Sequence, residues 1–221
     1  MQIRSTRHWS DWVGMAVFTA IGVNLYRQSP EFGILILPGI LQELIVAASF
    51  LLRPRERHAA TGWAPRLVAY ANTFGVMLFL TYAARYRPDW IQPTPVPSLR
   101  TAGAFLWLGG AVLSLWPLWY LRRNFSVEPE ARDLVTAGPY RWARHPIYAV
   151  YLLINLGILL RHLTIPLAAV LAGWLALLLV RVGYEEQVLA TAFPQYRDYR
   201  HRVGAFGPRL GRFRLHRATE Q

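Results

Sequence analysis

The sequence predicts an all-α integral membrane protein, with a bundle of about six transmembrane helices followed by an amphipathic helical segment on the cytoplasmic side. Three observations predict this fold. Hydrophobic residues make up 54% of the 221 residues, and they are grouped in long blocks. The formal net charge is nevertheless +12, and all 24 basic residues are arginines. Most of these arginines stand between the blocks, whereas a soluble domain scatters its apolar residues along the chain.

Six apolar blocks are candidates for the transmembrane helices. They cover residues 11–26, 33–52, 67–84, 101–121, 147–160 and 163–182. A helix needs about 20 mostly apolar residues to cross a hydrocarbon core of about 30 Å. The first block is a little short and the fifth would give only about 21 Å of helix, so five spans are the alternative to six. Only Arg161 and His162 join the last two blocks, which predicts a tight antiparallel hairpin.

The arginines predict how the bundle is oriented. With six spans and a cytoplasmic N-terminus, the cytoplasmic segments hold 19 arginines and the outer loops hold 5. Because basic residues are enriched on the cytoplasmic side of membrane proteins, we expect both termini in the cytoplasm. An all-arginine basic set is also typical of the codon usage of a GC-rich bacterium, which predicts the bacterial inner membrane.

The composition excludes several kinds of site and partner. The chain has no cysteine, so it has no disulfide, thiolate metal site or thiol nucleophile, and we predict no metal site. Topology and attraction to anionic lipid headgroups account for the positive charge. No recognition motif for DNA or RNA is present, and no pattern indicates an oligomeric state. We therefore expect membrane lipids as partners, not nucleic acid.

Two polar residues inside the predicted spans are candidates for the substrate side of a site. Glu43 lies in the middle of the second block, and Asn155 lies in the fifth. A charge at the bilayer centre costs about 2.5–3.5 kcal/mol, so Glu43 should face the interior of the bundle. There it either forms a hydrogen bond between helices or lines a substrate cavity, and the sequence leaves both interpretations open.

The longest cytoplasmic loop, residues 122–145, carries the first chemical motif. Gly138-Pro139 predicts a turn, and Pro146 suits the first position of the fifth helix. His145 should then lie at or next to the N-cap, where free N–H groups and a partial positive charge favour an anion. Arg144 adds a guanidinium. The segment therefore binds either an anionic ligand or the phosphates of lipids.

The second motif follows the sixth block. Arg181 and Glu185 are four residues apart and share one helix face, and Glu186 comes next. An apolar stripe at helical spacing then predicts a segment that lies on the membrane surface and folds back over the bundle; it consists of Val188, Leu189, Ala192, Phe193, Tyr196 and Tyr199. The alternative is an ordinary interfacial anchor with a surface ion pair.

The two motifs should meet, because the predicted hairpin brings its two ends together. His145 and Arg181 would then be neighbours in a pocket at the membrane face. That pocket would contain anion donors, a carboxylate and the rings of Tyr140, Trp142 and Tyr148. Such a set of groups fits a zwitterionic, nucleotide-like cofactor.

Together these motifs resemble the isoprenylcysteine carboxyl methyltransferases. The matching order is Leu-Val-Thr-x-Gly-Pro-Tyr at 134–140, Arg-His-Pro-x-Tyr at 144–148, an apolar hairpin, Glu-Glu-x-x-Leu at 185–189 and Phe-x-x-Tyr at 193–196. The wider relatives of that family include phospholipid N-methyltransferases and membrane thiol methyltransferases. We therefore divide the chain into an N-terminal transmembrane unit on the substrate side, 1–121, and a methyltransferase core, 122–221.

The resemblance implies an integral membrane enzyme that uses S-adenosylmethionine and methylates a lipophilic or amphipathic acceptor. With Arg144 added for its charge, the implied cofactor-binding residues are Leu134, Val135, Tyr140, Arg144, His145, Pro146, Ile147, Tyr148 and Glu185. The resemblance places Arg181 beside the reacting group of the acceptor. For an amine or thiol acceptor a base is needed, and Glu186 is the nearest candidate; Glu43 and Asn155 are the candidates deeper in the membrane.

Two other functions remain open at this stage. One is phospholipid N-methylation or thiol methylation by the same kind of enzyme. The other is a non-catalytic membrane protein for transport or assembly that keeps the fold. Binding of S-adenosylmethionine separates the last possibility from the enzymes, and product analysis separates the enzymes from one another.

Overall fold

The computed structural model describes residues 9–28, 37–54 and 56–209. This part of the chain is almost entirely helical. Its seven α-helices are α1 (Trp9–Gln28), α2 (Leu37–Leu52), α3 (Trp63–Tyr86), α4 (Pro97–Leu121), α5 (Pro146–Arg161), α6 (Ile165–Ala192) and α7 (Tyr196–Arg202). Two-residue strands, β1 (His58–Ala59) and β2 (Glu130–Ala131), pair antiparallel, and short 3-10 helices cover Pro88–Ile91 and Gly138–Arg141.

Six of the described helices are apolar, and within the described residues three of them are long and apolar enough to cross a membrane. These are α3, α4 and α6. The apolar parts of the others are shorter: Asp11–Val23 in α1, and the 16-residue helices α2 and α5, each of which gives about 24 Å of helix. The structure therefore has a helix in each of the six predicted blocks, as far as they are described, and three full-length spans among them. These apolar helices indicate an integral membrane protein.

The helices alternate in direction. Asp11 near the start of α1 accepts a hydrogen bond of 2.9 Å from Arg53, just after α2, so α1 and α2 are antiparallel. In α3 and α6, Asn72 Nδ2 donates to the Trp174 carbonyl oxygen at 3.0 Å, and Trp174 Nε1 donates to the Asn72 carbonyl oxygen at 3.1 Å. This buried reciprocal pair ties the middle of α3 to the middle of α6.

Only residues 162–164 separate α5 from α6, so the short antiparallel connection predicted from the sequence is confirmed, but the two helices do not pack closely along their length. Helix α5 packs extensively along α4 and little along α6. Glycines cause this: a Cβ on Gly157 would lie 2.6 Å from the Gly103 carbonyl oxygen, and one on Gly110 would lie 2.5 Å from Ile154. Helices approach this closely only where side chains are missing. A cleft of about 130 Å³ lies between α5 and α6. It is lined by Leu152, Asn155, Leu156, Leu159, Leu171, Trp174 and Leu175.

One end of the bundle holds the α4–α5 loop and is covered by short elements. We call it the site end. The β1–β2 pair joins the α2–α3 connection to this loop. The apolar stripe predicted after the sixth block is buried there, with Val188, Phe193, Tyr196 and Tyr199 packed around Ala131 of β2. The chain after α6 therefore folds back onto the bundle, as the stripe predicts, and brings α7 next to the start of α5.

Candidate active site

The start of α5 is built as the sequence predicts, and the two main-chain amides that precede the helix bind carbonyl oxygens of the chain itself. His145 is the N-cap and Pro146 is the first helical residue. The amide of Arg144 donates to the Gly204 carbonyl oxygen at 2.9 Å, and that of His145 donates to Ala205 at 2.8 Å. Pro146 has no N–H. Residues 204 and 205 thus bind the two amides just before the helix, and inside it the Tyr148 amide donates to the His145 carbonyl oxygen at 3.1 Å; the anion site at this helix start stays a prediction.

The two motifs meet at the site end. The ring of His145 stacks on that of Tyr148, with centroids 5.6 Å apart and an interplanar angle of 10°. The Tyr148 hydroxyl donates to Glu185 of α6, and Arg181 Nε donates to the same carboxylate at 2.9 Å. The Arg181 guanidinium carbon lies 5.4 Å from the centre of the Tyr148 ring. His145, Tyr148, Arg181 and Glu185 therefore form one connected cluster between α5 and α6.

Glu186, next in the chain, faces a different set of partners. Arg144 donates to its carboxylate at 2.9 and 2.7 Å, Arg200 Nε lies 3.2 Å away, and His145 Nε2 lies 3.3 Å away. Two guanidinium groups stabilise the ionised carboxylate and cover its oxygens. This geometry does not suit the general base that we predicted at Glu186. It suits a residue that holds α5, α6 and α7 together.

Arg181 is buried and bound on every side. It is 5% exposed, and besides Glu185 its guanidinium donates to the Val127 carbonyl oxygen at 2.8 Å, to Thr73 Oγ1 at 2.7 Å and to the Ala69 carbonyl oxygen at 3.3 Å. The sequence did not identify these partners, because they lie on α3 and in the α4–α5 loop and share no local pattern with Arg181.

The remaining residues of the first motif are placed around the cluster. The Tyr140 hydroxyl points to the Pro117 carbonyl oxygen of α4, 3.5 Å away, and its burial raises the pKa of Tyr140 well above the usual value, so the phenol stays neutral. Ile147 belongs to the apolar core with Phe50 and Leu118. Leu134 packs on the Ala131 cluster, and Val135 is half-buried. Ile147 and Leu134 thus support the loop and the helix start, while Tyr140 is also within electrostatic range of Glu185.

The two candidates deeper in the membrane lie in different places. Glu43 faces the bundle interior as predicted: Gln42 Nε2 lies 3.3 Å from its Oε1, Ser114 of α4 donates to Gln42 at 2.6 Å, and Glu43 Oε2 has no partner among the described residues. Tyr151 is within electrostatic range of both Glu43 and Arg181. Asn155 instead lines the cleft between α5 and α6.

The cluster fits the chemistry of S-adenosylmethionine, the cofactor that the resemblance implies. The Glu185 carboxylate can accept hydrogen bonds from an ammonium or ribose hydroxyls, Arg144 can pair with a carboxylate, and the ring of Tyr148 suits a cation. Among the described residues, the buried Tyr196 hydroxyl forms no hydrogen bond of good geometry; it lies near Arg144 and can donate to a polar ligand. His145 Nδ1 lies 3.7 Å from Glu185 Oε2, so these side chains must separate to admit a ligand between them.

The described parts of the chain contain no comparable group of side chains that could bind a metal ion. No three side chains of histidine, cysteine, aspartate or glutamate come together there in a way that could hold a metal ion.

Comparison with known proteins supports a methyltransferase fold for this region. Residues 99–196 match the model of a family described as phospholipid methyltransferase. A cobalt-zinc-cadmium resistance protein, CzcN, of Cupriavidus metallidurans is 34% identical over 145 residues, which are 64% of this chain and 62% of the relative. A nickel-cobalt-cadmium resistance protein, NccN, of Alcaligenes xylosoxydans xylosoxydans is 33% identical over 142 residues, 63% of this chain and 62% of the relative.

These matches cover only part of each protein. The chain spans about 62% of the length of the curated relatives it matches, and residues 1–98 lie outside the family match. The matched region runs from the start of α4 to the start of α7, and it contains every residue of the His145–Tyr148–Arg181–Glu185 cluster. The segment that builds the candidate site is thus similar to a phospholipid methyltransferase domain.

Proposed function

We propose that the protein is an integral membrane methyltransferase that uses S-adenosylmethionine and acts on a lipophilic or amphipathic acceptor. One observation carries the proposal: His145 and Tyr148 at the start of α5 meet Arg181 and Glu185 near the end of α6 within the segment that matches the phospholipid methyltransferase model. Two motifs that are 37 residues apart at Tyr148 and Glu185 thereby form one site at the end of an apolar bundle.

Each residue of the cluster has a defined part in this proposal. S-adenosylmethionine would supply a reactive methyl group on a sulfonium, so the protein's task is to hold and orient it. Glu185 accepts hydrogen bonds from the amino or ribose groups, Tyr148 offers its ring to the positive charge, and Arg144 and His145 bind the carboxylate. Leu134, Val135, Tyr140, Pro146 and Ile147 support the loop and the helix start around them.

Arg181 acts by position and by charge. Its guanidinium holds Glu185 and lies over Tyr148, and its hydrogen bonds to Val127, Thr73 and Ala69 fix it in the interior. The cation therefore orients the groups that bind the cofactor, and it attracts a polar acceptor that approaches from the bundle.

Phospholipid N-methylation is the second candidate, and two observations favour it. The matching family is described as phospholipid methyltransferase. The Glu43 carboxylate inside the bundle has a free oxygen and no basic partner among the described residues, so it suits a cationic amine better than a carboxylate acceptor. Asn155, in the cleft between α5 and α6, would contact the apolar part of such a substrate.

The names of the relatives suggest a third candidate, a non-catalytic transport or assembly protein in metal resistance. Because the described residues offer no cluster for a metal ion and the chain has no cysteine, a part in metal resistance would be indirect. Methylation of a lipid or a small metabolite would be one such indirect route.

The deciding experiment is a labelled-methyl assay. Purified protein is incubated with S-adenosylmethionine carrying a radioactive methyl group and with total lipid extract, and the products are separated by chromatography. We expect label in an organic-phase product with the wild type and none with His145→Ala or Glu185→Ala. An amine-linked product identifies N-methylation. Protein that binds no S-adenosylmethionine would show that the fold serves the non-catalytic function.

A further inference from the structure

Residues Val203–Gly207, which we call the strap, run over the start of α5. Gly204 forms a parallel bridge with Ala143. The carbonyl oxygens of Gly204 and Ala205 accept hydrogen bonds from the amides of Arg144 and His145. The ring of Phe206 lies 6.3 Å from that of His145. The strap thus covers the outer side of the cluster described above.

Arg144 connects the strap to the carboxylates of α6. Its Nη1 donates to the carbonyl oxygens of Arg200, at 3.1 Å, and Val203, and its Nε and Nη2 donate to Glu186. Arg200 itself lies 3.2 Å from Glu186. A ligand that competes for Arg144 or Glu186 therefore acts directly on the bonds that hold the strap.

Something must move before a ligand can enter, because His145 and Glu185 are in contact. Helix α5 is fixed to α4 by the close approach at Gly157, and α6 is fixed to α3 and the loop by Arg181. The strap lies outside the bundle and follows the seven-residue helix α7. Among the described elements that contact His145, the strap is therefore the one whose movement would disrupt the fewest contacts between helices.

We propose that the strap is a gate for the cofactor: it detaches from Ala143, Arg144 and His145 to let S-adenosylmethionine in or out, and it reattaches to enclose the bound molecule. The gate rests on the proposed function for the identity of its ligand. Its opening sets the rates of both association and dissociation, since both require the same movement.

Gly204 offers a sharp test, and Gly207 offers its control. A Cβ on Gly204 would fall inside the contact distance of the Gly207 carbonyl oxygen, which is backbone and cannot rotate away, whereas a Cβ on Gly207 meets nothing within 4 Å. Gly204→Ala therefore distorts the strap from within and leaves the side chain of every residue assigned to cofactor binding unchanged. Gly204→Val enlarges the displacement, and Gly207→Ala adds the same methyl group without a clash.

Two measurements on the full-length protein report whether the strap detaches and how fast the cofactor exchanges. The first is tryptic cleavage after the exposed residues Arg202 and Arg209, which flank the strap, followed by mass spectrometry. The second is exchange of radiolabelled S-adenosylmethionine against an unlabelled excess, with association measured separately. We expect Gly204→Ala and Gly204→Val to be cleaved faster and to exchange the cofactor on the order of tenfold faster in both directions, the effect of losing one or two hydrogen bonds, with Gly207→Ala like the wild type.

The possible failures are distinguishable. Wild-type protein without S-adenosylmethionine binding would overturn the proposed function and the gate together. Wild-type binding with unchanged exchange in both Gly204 variants would overturn the gate alone. Faster dissociation with unchanged association would also overturn it, because the strap would then be a fixed wall of the site.

Discussion

At the scale of single residues, two adjacent glutamates with identical side chains have different environments. Glu185 is bound by Tyr148 and Arg181 inside the cluster, while Glu186 is bound by Arg144 and Arg200 next to α7. Consecutive residues of a helix point about 100° apart, so the two carboxylates face different sides of α6 and contact different elements. The sequence analysis assigned Glu185 to the cofactor and Glu186 to the base, but it could not identify their partners, because those lie on other elements.

This division predicts different effects of two matched substitutions. Glu185→Gln removes a charged acceptor and leaves the buried Arg181 without its anion, so S-adenosylmethionine should bind more weakly by roughly 1.5–3 kcal/mol, about 10- to 100-fold. Glu186→Gln should lower the methylation rate and leave the shape of its pH profile unchanged, since an ion-paired carboxylate does not act as the base. Binding is measured by equilibrium dialysis and rates by labelled-methyl transfer from pH 5 to 9. If Glu186→Gln removed the acidic limb of the profile, Glu186 would be the base after all.

At the scale of elements, α4 and α5 form the packed pair that carries the start of the site. The sequence predicted both helices and the N-cap at His145, because proline and apolar runs are local signals. It missed the packing of α5 on α4, because Gly157 is far in the chain from Gly103 and Gly110 and faces them only after the helices are in place. It missed the strap for the same reason, since Val203–Gly207 is ordered by contacts with Ala143, Arg144 and His145 and carries no periodic pattern of its own.

The α4–α5 contact predicts a stability difference between two glycines in this pair of helices. In Gly157→Ala, the new methyl group would lie 2.6 Å from the Gly103 carbonyl oxygen and 2.7 Å from the Trp107 amide nitrogen, and such overpacking costs typically about 1–3 kcal/mol. In Gly109→Ala, the methyl group meets nothing within 4 Å, and alanine favours the helix by about 1 kcal/mol. Thermal unfolding in detergent should show a lower Tm for Gly157→Ala and an equal or higher Tm for Gly109→Ala. Equal Tm values for the two variants would contradict the close approach.

At the scale of the whole molecule, the ion pairs and the apolar surface divide the protein into three layers. Arg53–Asp11, Arg132–Glu130, Arg144–Glu186 and Arg181–Glu185 gather at the site end, and Arg87–Asp89 lies at the opposite end. The apolar helices lie between them. A cofactor from the cytosol and an acceptor from the bilayer would meet where the first layer joins the second, which is where the His145 cluster lies.

This arrangement predicts the orientation of the protein, and the absence of cysteine makes the test direct. Single cysteines are introduced at Asp133, in the site-end loop, and at Asp89, at the opposite end; their side chains are 56% and 52% exposed. Because arginine-rich segments remain in the cytoplasm, a membrane-impermeant maleimide should label Asp89→Cys in intact cells and Asp133→Cys only in inside-out vesicles. The reverse pattern would put the His145 cluster on the side without S-adenosylmethionine, and the proposed reaction could not take place there.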